Sequence, residues 1–419
     1  MRSTAAGTAA STTGGGGPPR SRRQGARIVA ALAVTQTIGY GVLYYAFSVF
    51  LLPMAADLRA SAAQVATALT CSVLVSALCA PLVGRWLDAR GGRGLMTAGS
   101  VLGALAVLAW SQVHNLIQLY AVFAAVGVAS AMVLYQSAFA VIVAWFDGHE
   151  RGRAGALLAL TVVAGFASTI FLPLSGLLME RFGWRQALVV LALIYGLPAV
   201  PLHALVLRRR ERAAHAPAAA EQRAAIVSRA VRRRPFWLLV AAFTASGGAA
   251  AVMAVLLITY LIHLGHPPVL AATLAGLLGV LSVTGRLLTT GLQTRLPAAL
   301  IAAAIFLLQG VAAALLPLAG RTVPGAVGCV LGFGLGFGIA SITLPHLLVQ
   351  RYGTAAYATL SGRIAFFSVA AKASAPLGAL TLAQAVGYGS VMAAVATACA
   401  IAAVALTSYH RISFRPASK

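Results

Sequence analysis

The sequence predicts an all-α membrane protein: twelve transmembrane helices in two six-helix bundles. Three observations lead there. Of the 419 residues, 60% are hydrophobic and only 9% charged, too few charges for a soluble globular surface. The apolar runs are long enough to cross a bilayer, which takes about 20 helical residues, and short polar segments separate them. One long basic stretch divides the series in half. The period-two alternation of a β-barrel is absent.

Residues 1–27 are rich in Ser, Thr, Ala and Gly, with Gly14 to Gly17, Pro18 and Pro19 followed by Arg20, Arg22, Arg23 and Arg27. This composition predicts a disordered basic tail. The next apolar run, at about 25 residues, is too long for a cleaved leader and has no small-residue cleavage site. Helices 1 to 6 are expected over 28–52, 62–84, 95–113, 116–146, 153–179 and 185–207. Helices 7 to 12 are expected over 236–262, 269–293, 298–318, 323–350, 358–384 and 387–409. The bundles are thus 28–207 and 235–410, joined by a basic linker over 208–234 with nine arginines and two glutamates, and 411–419 form a second tail.

The formal net charge of +24 raises the question of nucleic acid, but the arginines lie between apolar runs rather than along one face. They follow a membrane topology. With the amino terminus inside, the outer loops hold only Arg59, Arg181, Arg185 and Arg321 of the 31 Lys and Arg residues. The positive-inside rule then places both termini in the cytoplasm and the chain in the cell (inner) membrane. The expected partner is anionic lipid, not nucleic acid. The four cysteines fall inside apolar runs without metal-ligand spacing and read as packing residues.

The stretch Pro81-Leu-Val-Gly-Arg-Trp-Leu-Asp-Ala-Arg-Gly-Gly-Arg-Gly94 gathers one acid, three arginines and four glycines between helices 2 and 3. It predicts a tight cytoplasmic loop in which Gly84 and Gly91 permit close approach and sharp turning. Asp88 can pair with Arg85, Arg90 or Arg93, or face the positive end of a neighbouring helix. A degraded echo, Gly285-Arg-Leu-Leu-Thr-Thr-Gly-Leu-Gln-Thr-Arg295, occupies the corresponding place after helix 8. Arg181-Phe-Gly-Trp-Arg185 is likewise echoed by Ala385-Val-Gly-Tyr-Gly389, at an offset of a little over 200 residues.

The chain has seven acids, Asp57, Asp88, Asp147, Glu150, Glu180, Glu211 and Glu221, every one in a loop or at a helix end. No paired carboxylates, nucleophile elbow, phosphate loop or zinc signature is present, so neither an enzyme nor a cofactor or metal is expected. The cations are more telling. Lys372 lies near the centre of helix 11 and Arg286 within helix 8, where a charge costs at least ~2.5–3.5 kcal/mol. With no buried acid to pair them, both invite an anion from solution. The alternatives are a loop position for Arg286, and snorkelling or contact with helix carbonyls for Lys372. Tyr44, Tyr45 and Gln36 on helix 1 can face a cavity, although tyrosines also anchor at membrane interfaces. Gln136 and Thr161 read as interhelical hydrogen bonds and His346 as a structural histidine near the cytoplasmic end. The run Gly332-x-Gly334-x-Gly336-x-Gly338 reads as close packing or a flexing gate.

The pattern Gly84-x-x-x-Asp88-x-x-Gly91-x-Arg93 resembles the signature loop of the major facilitator superfamily, whose two halves are repeats related along the membrane normal. Three further stretches are similar to the monocarboxylate transporter and oxalate:formate antiporter branch. They are Gly39-Tyr-Gly-Val-Leu-Tyr-Tyr-Ala-Phe-Ser-Val-Phe-Leu-Leu-Pro-Met54, Trp145-Phe-Asp147 with Arg151-Gly152, and Phe182-Gly-Trp-Arg185. The resemblance covers residues 28 to 410. It implies that Arg286 binds a substrate carboxylate, that Lys372 is a second anchor, and that Tyr135 lines the site. The chain differs from animal proton-coupled members in carrying Ser282 where they have an aspartate, and in lacking a cation within Leu51-Leu-Pro-Met54. Proton coupling by their route is therefore not expected.

The expectation is a secondary transporter moving a small organic anion by alternating access. It would bind substrate through Arg286, Lys372, Tyr135 and Tyr44, gate through Gly84, Arg85, Asp88, Gly91 and Arg93, couple to a proton or counter-anion, and function as a monomer. The alternative is multidrug or metabolite efflux on the same fold, with an aromatic, weakly charged cavity. A sensor or receptor would call for a sizeable extramembrane domain, which the sequence does not contain.

Overall fold

The computed structural model describes residues 22–207, 217–293 and 295–413. Expectations for residues 1–21, 208–216, Thr294 and 414–419 lie outside them. Among the described residues ten helices are long and apolar enough to cross a membrane. Seven are single crossings close to expectation: helices 2 (Ala62–Arg90), 3 (Gly92–Trp110), 7 (Arg234–His263), 8 (Pro268–Leu292), 9 (Ala298–Ala319), 11 (Tyr357–Val386) and 12 (Tyr388–Ser413). Helix 1 (Arg23–Asp57) and helix 4 (Leu116–Trp145) are also single crossings but internally irregular.

The segment Glu150–Val206 has 57 residues, about 85 Å at 1.5 Å per residue, far more than a ~30 Å hydrocarbon core. It turns back at Gly183 (φ 73°, ψ 164°), giving helix 5 (150–182) and helix 6 (184–206). Helix 10 (323–352) is built from Val323–Gly334 and Ala340–Tyr352. The total is twelve crossings, six on each side of the linker.

Three helices start where a polar side chain caps the first amide groups. Ser61 and Gln64 form a reciprocal capping box on helix 2. Asn115 accepts from the Gln118 amide, and Thr322 from that of Gly325. Turns use left-handed backbone in a repeating pattern: Gly148 (φ 74°) and Gly353 (φ 73°) follow helices 4 and 10, while Gly183 and Gly387 (φ 96°) follow helices 5 and 11. The offset is again a little over 200 residues, so the repeat is clearer in the turns than in the sequence.

Three differences from expectation stand out. The Pro81–Gly94 stretch is almost wholly helical, with helix 2 running to Arg90, helix 3 starting at Gly92 and Gly91 (φ 77°) the single turn residue. The linker contains a helix, Pro217–Val231, whose Val227 and Ala230 are buried against the bundle. Helices 4 and 10, expected to be continuous, are broken at mid-length.

The apolar core is divided in a way that positions the site. On the side where the linker lies, one cluster joins both halves, running from Ile28, Leu32, Val83 and Leu157 to Phe243, Phe306, Leu344 and Leu360. On the opposite side each half has its own cluster. One surrounds Phe47, Trp110 and Phe123; the other surrounds Met253, Leu316 and Phe333. The halves share one apolar core at the linker side and are separately packed beyond it.

Candidate functional site

The break in helix 4 falls at Leu134, whose ψ of −168° is extended. An extended residue there frees backbone groups on both sides, and buried groups need partners. Gln36 Nε2 donates to Val133 O at 2.7 Å, Ser137 Oγ donates to Ala131 O at 3.0 Å, and the Tyr40 hydroxyl is hydrogen-bonded by the Tyr135 backbone. This stitching brings Tyr135 to the start of a fresh half-helix facing helix 1. Its ring meets Tyr40 at 4.6 Å between centroids and stacks on Phe139 at 5.1 Å.

The break in helix 10, over 335–339, is satisfied similarly. Gln309 Nε2 donates to Phe333 O at 2.8 Å. The Gly338 carbonyl accepts from Ser341 Oγ at 2.7 Å and from Arg286 Nε at 3.2 Å. The glycines serve close packing. A Cβ on Gly285 would stand 1.8 Å from Leu335 O, and one on Gly338 would stand 2.6 Å from Arg286 Nε and 2.2 Å from Ser282 Oγ. Only glycine at both positions lets helices 8 and 10 hold the guanidinium there.

Arg286 is therefore an intramembrane, half-buried cation. Its NH1 donates to Thr161 O on helix 5 at 2.9 Å, so one side chain bonds both halves. Tyr40, Tyr45 and Tyr135 are its electrostatic neighbours. Tyr44 stands edge-on to Tyr45 at 5.3 Å and is 42% exposed. Tyr40, Tyr45 and Tyr135 thus lie within electrostatic range of Arg286, with Tyr44 beside Tyr45. Tyr40 lacks a signal of its own in the sequence, since a tyrosine at a helix midpoint differs little from an interface anchor.

Lys372 sits on helix 11 with its stem along helix 7: a Cβ on Gly247 would stand 3.1 Å from Lys372 Cε. The side chain is exposed. No hydrogen bond or ion pair joins it to another described residue. Arg286 and Lys372 are not in contact with one another.

The signature stretch closes the linker side. Asp88 is buried and accepts from the amides of Ala358 (3.0 Å) and Thr359 (2.6 Å), the first turn of helix 11. Of the alternatives in the sequence, it takes the positive end of a neighbouring helix. Gly84 and Gly362 let the two backbones meet: a Cβ on Gly84 would lie 2.2 Å from Ala358 O, and one on Gly362 2.3 Å from Ala80 O. Arg85 and Arg90 are exposed, Arg90 lying over the Trp86 ring at 4.2 Å, and Arg93 is half-buried. Three more contacts cross between halves on this side. Thr354 Oγ1 donates to Asp147 Oδ1 at 3.0 Å, Ser361 Oγ donates to Gln136 Oε1 at 2.9 Å, and His346 Nδ1 lies 3.7 Å from Glu150 Oε1. Thr161, by contrast, keeps its hydroxyl within helix 5.

Comparison with known families matches residues 32–376 to the Major Facilitator Superfamily. The chain belongs to that superfamily. Among solved structures it is similar to a variant of the E. coli fucose:proton symporter FucP, with a TM-score of 0.72, 15% identity, and coverage of 91% of this chain and 98% of that one. It is also similar to the human organic anion transporter MFSD10 (TETRAN), with a TM-score of 0.65, 16% identity, and coverage of 93% and 100%. Comparison with curated protein sequences finds no match. The superfamily and the fold make the chain an integral membrane transporter.

Proposed function

We propose that this transporter moves a small organic anion, a mono- or dicarboxylate, across the cell membrane by alternating access. The observation that carries the reading is Arg286: an intramembrane guanidinium with three tyrosines in electrostatic range, held by carbonyls rather than by any acid. Two backbone oxygens accept from it but leave its charge and its remaining N–H groups unpaired by any acid, so a carboxylate arriving from solution would be favoured there. Lys372 supplies a second charge to a dicarboxylate or to a coupled anion. The monocarboxylate and oxalate:formate branch remains the proposed affiliation within the superfamily, and MFSD10, named as an organic anion transporter, has the same fold.

By the positive-inside rule the linker side is cytoplasmic, and the core that the halves share there supports reading this conformer as inward-closed. The proposed units are the bundles 28–207 and 235–410 with the linker between them, acting as a monomer. The test is uptake into proteoliposomes of a panel of labelled mono- and dicarboxylates, with and without a pH gradient. Saturable uptake of at least one carboxylate is expected. Uptake confined to cationic or neutral amphiphiles would favour the efflux reading instead.

A further inference from the structure

A third cation, Arg153, lines a small cavity on the linker side. Helix 5 presents Arg153 and Leu157 one turn apart, and helix 8 presents Thr290 and Gln293 on the face that begins with Arg286. With Ile342 and His346 of helix 10 they line a cavity of about 10 Å³, room for one water or one monatomic ion.

The chemistry of the lining is one-sided. Arg153 lines this cavity and is only 6% exposed. Gln293 Nε2 is buried without an acceptor. Thr290 Oγ1 spends its proton on Arg286 O at 2.8 Å. No carboxylate lines the cavity: Glu150 reaches only the His346 ring, at 3.7 Å, and Asp88 is held by the helix 11 amides. A buried cation and an unpaired buried donor facing one void leave an acceptor missing, which is costly in a low-dielectric site.

We propose that this cavity binds one small inorganic anion of chloride size, held by Arg153 and Gln293. Helix 5 belongs to the first half and helices 8 and 10 to the second, so the ion would tie the halves together and stabilise the linker-side-closed conformer. The cavity is too small for an organic substrate, and the site is independent of the reading given to Arg286.

The experiment uses the purified full-length protein in detergent, with chloride titrated against isethionate at constant ionic strength and the melting temperature as readout. A saturable rise with chloride, and with bromide, is expected. Gln293→Leu, which removes the donor at similar volume, should raise the half-saturating concentration about tenfold or more, as losing a hydrogen bond to a charged group implies. Arg153→Gln should do the same. Since Arg153→Gln can also cost folding, retention of radiolabelled chloride by the wild type, displaced by bromide, is measured alongside. No chloride-dependent rise, no retained label, or an unchanged half-saturation in Gln293→Leu would assign the cavity to a water and overturn the proposal.

Discussion

The guanidinium of Arg286 already makes two commitments, to Thr161 O and Gly338 O, in the absence of any solute. A planar fork can keep both and still offer its remaining N–H groups; a lysine ammonium cannot. Arg286→Lys should therefore cut carboxylate uptake about tenfold or more while membrane abundance holds, since each charged hydrogen bond is worth ~1.5–3 kcal/mol. Gly338→Ala tests the same geometry from the other side. Its methyl would displace Nε, with an overpacking cost of about 1–3 kcal/mol, and uptake should fall without loss of folded protein in fluorescence-detected size-exclusion chromatography. Both cations were legible in the sequence because a charge inside an apolar run has no routine explanation. Arg286's partners were not legible, because they are backbone carbonyls freed by distant helix breaks. Arg153 carries no signal of its own in the sequence, and only the packing of helices 5, 8 and 10 shows it buried.

Among the elements, helices 2 and 11 form the contact on which closure depends. Asp88 caps helix 11 with both oxygens while Gly84 and Gly362 bring the backbones together. Asp88→Asn keeps the shape but loses the charge and one acceptor, so it should weaken this conformer by about 1–3 kcal/mol. A cysteine pair in place of Asp147 and Thr354, whose side chains meet at 3.0 Å, reports the closed state. Cross-linking of that pair should be efficient in the parent and markedly reduced with Asp88→Asn; equal yields would reduce Asp88 to a helix-end residue without a gating role. The glycines and the acid announced this contact because their clustering is unusual in so apolar a chain. The breaks in helices 4 and 10 gave no such sign. Neither Leu134 nor the 335–339 segment contains proline, and the breaks persist because Gln36, Ser137 and Gln309, remote or local, satisfy the freed carbonyls. Gln36→Leu should accordingly destabilise the fold by about 1–3 kcal/mol, read as a lower melting temperature.

Across the whole molecule, hydropathy and charge placement were enough to foresee twelve crossings in two halves, because the bilayer imposes one dominant period on every span. Which side is closed was beyond them, since that depends on one core joining the halves and two cores that do not. With an impermeant reagent, a single cysteine at Asn115 should be labelled on intact cells and one at Ala218 only after permeabilisation; the reverse would invert the orientation. The reading of the molecule as an organic anion carrier rests on its intramembrane cations and is tested most directly by carboxylate uptake into proteoliposomes containing wild type, Arg286→Ala or Lys372→Ala at matched protein content. Uptake should be abolished by Arg286→Ala, and Lys372→Ala should depress dicarboxylate uptake more than monocarboxylate uptake. Undiminished uptake of every carboxylate in both variants would contradict the account.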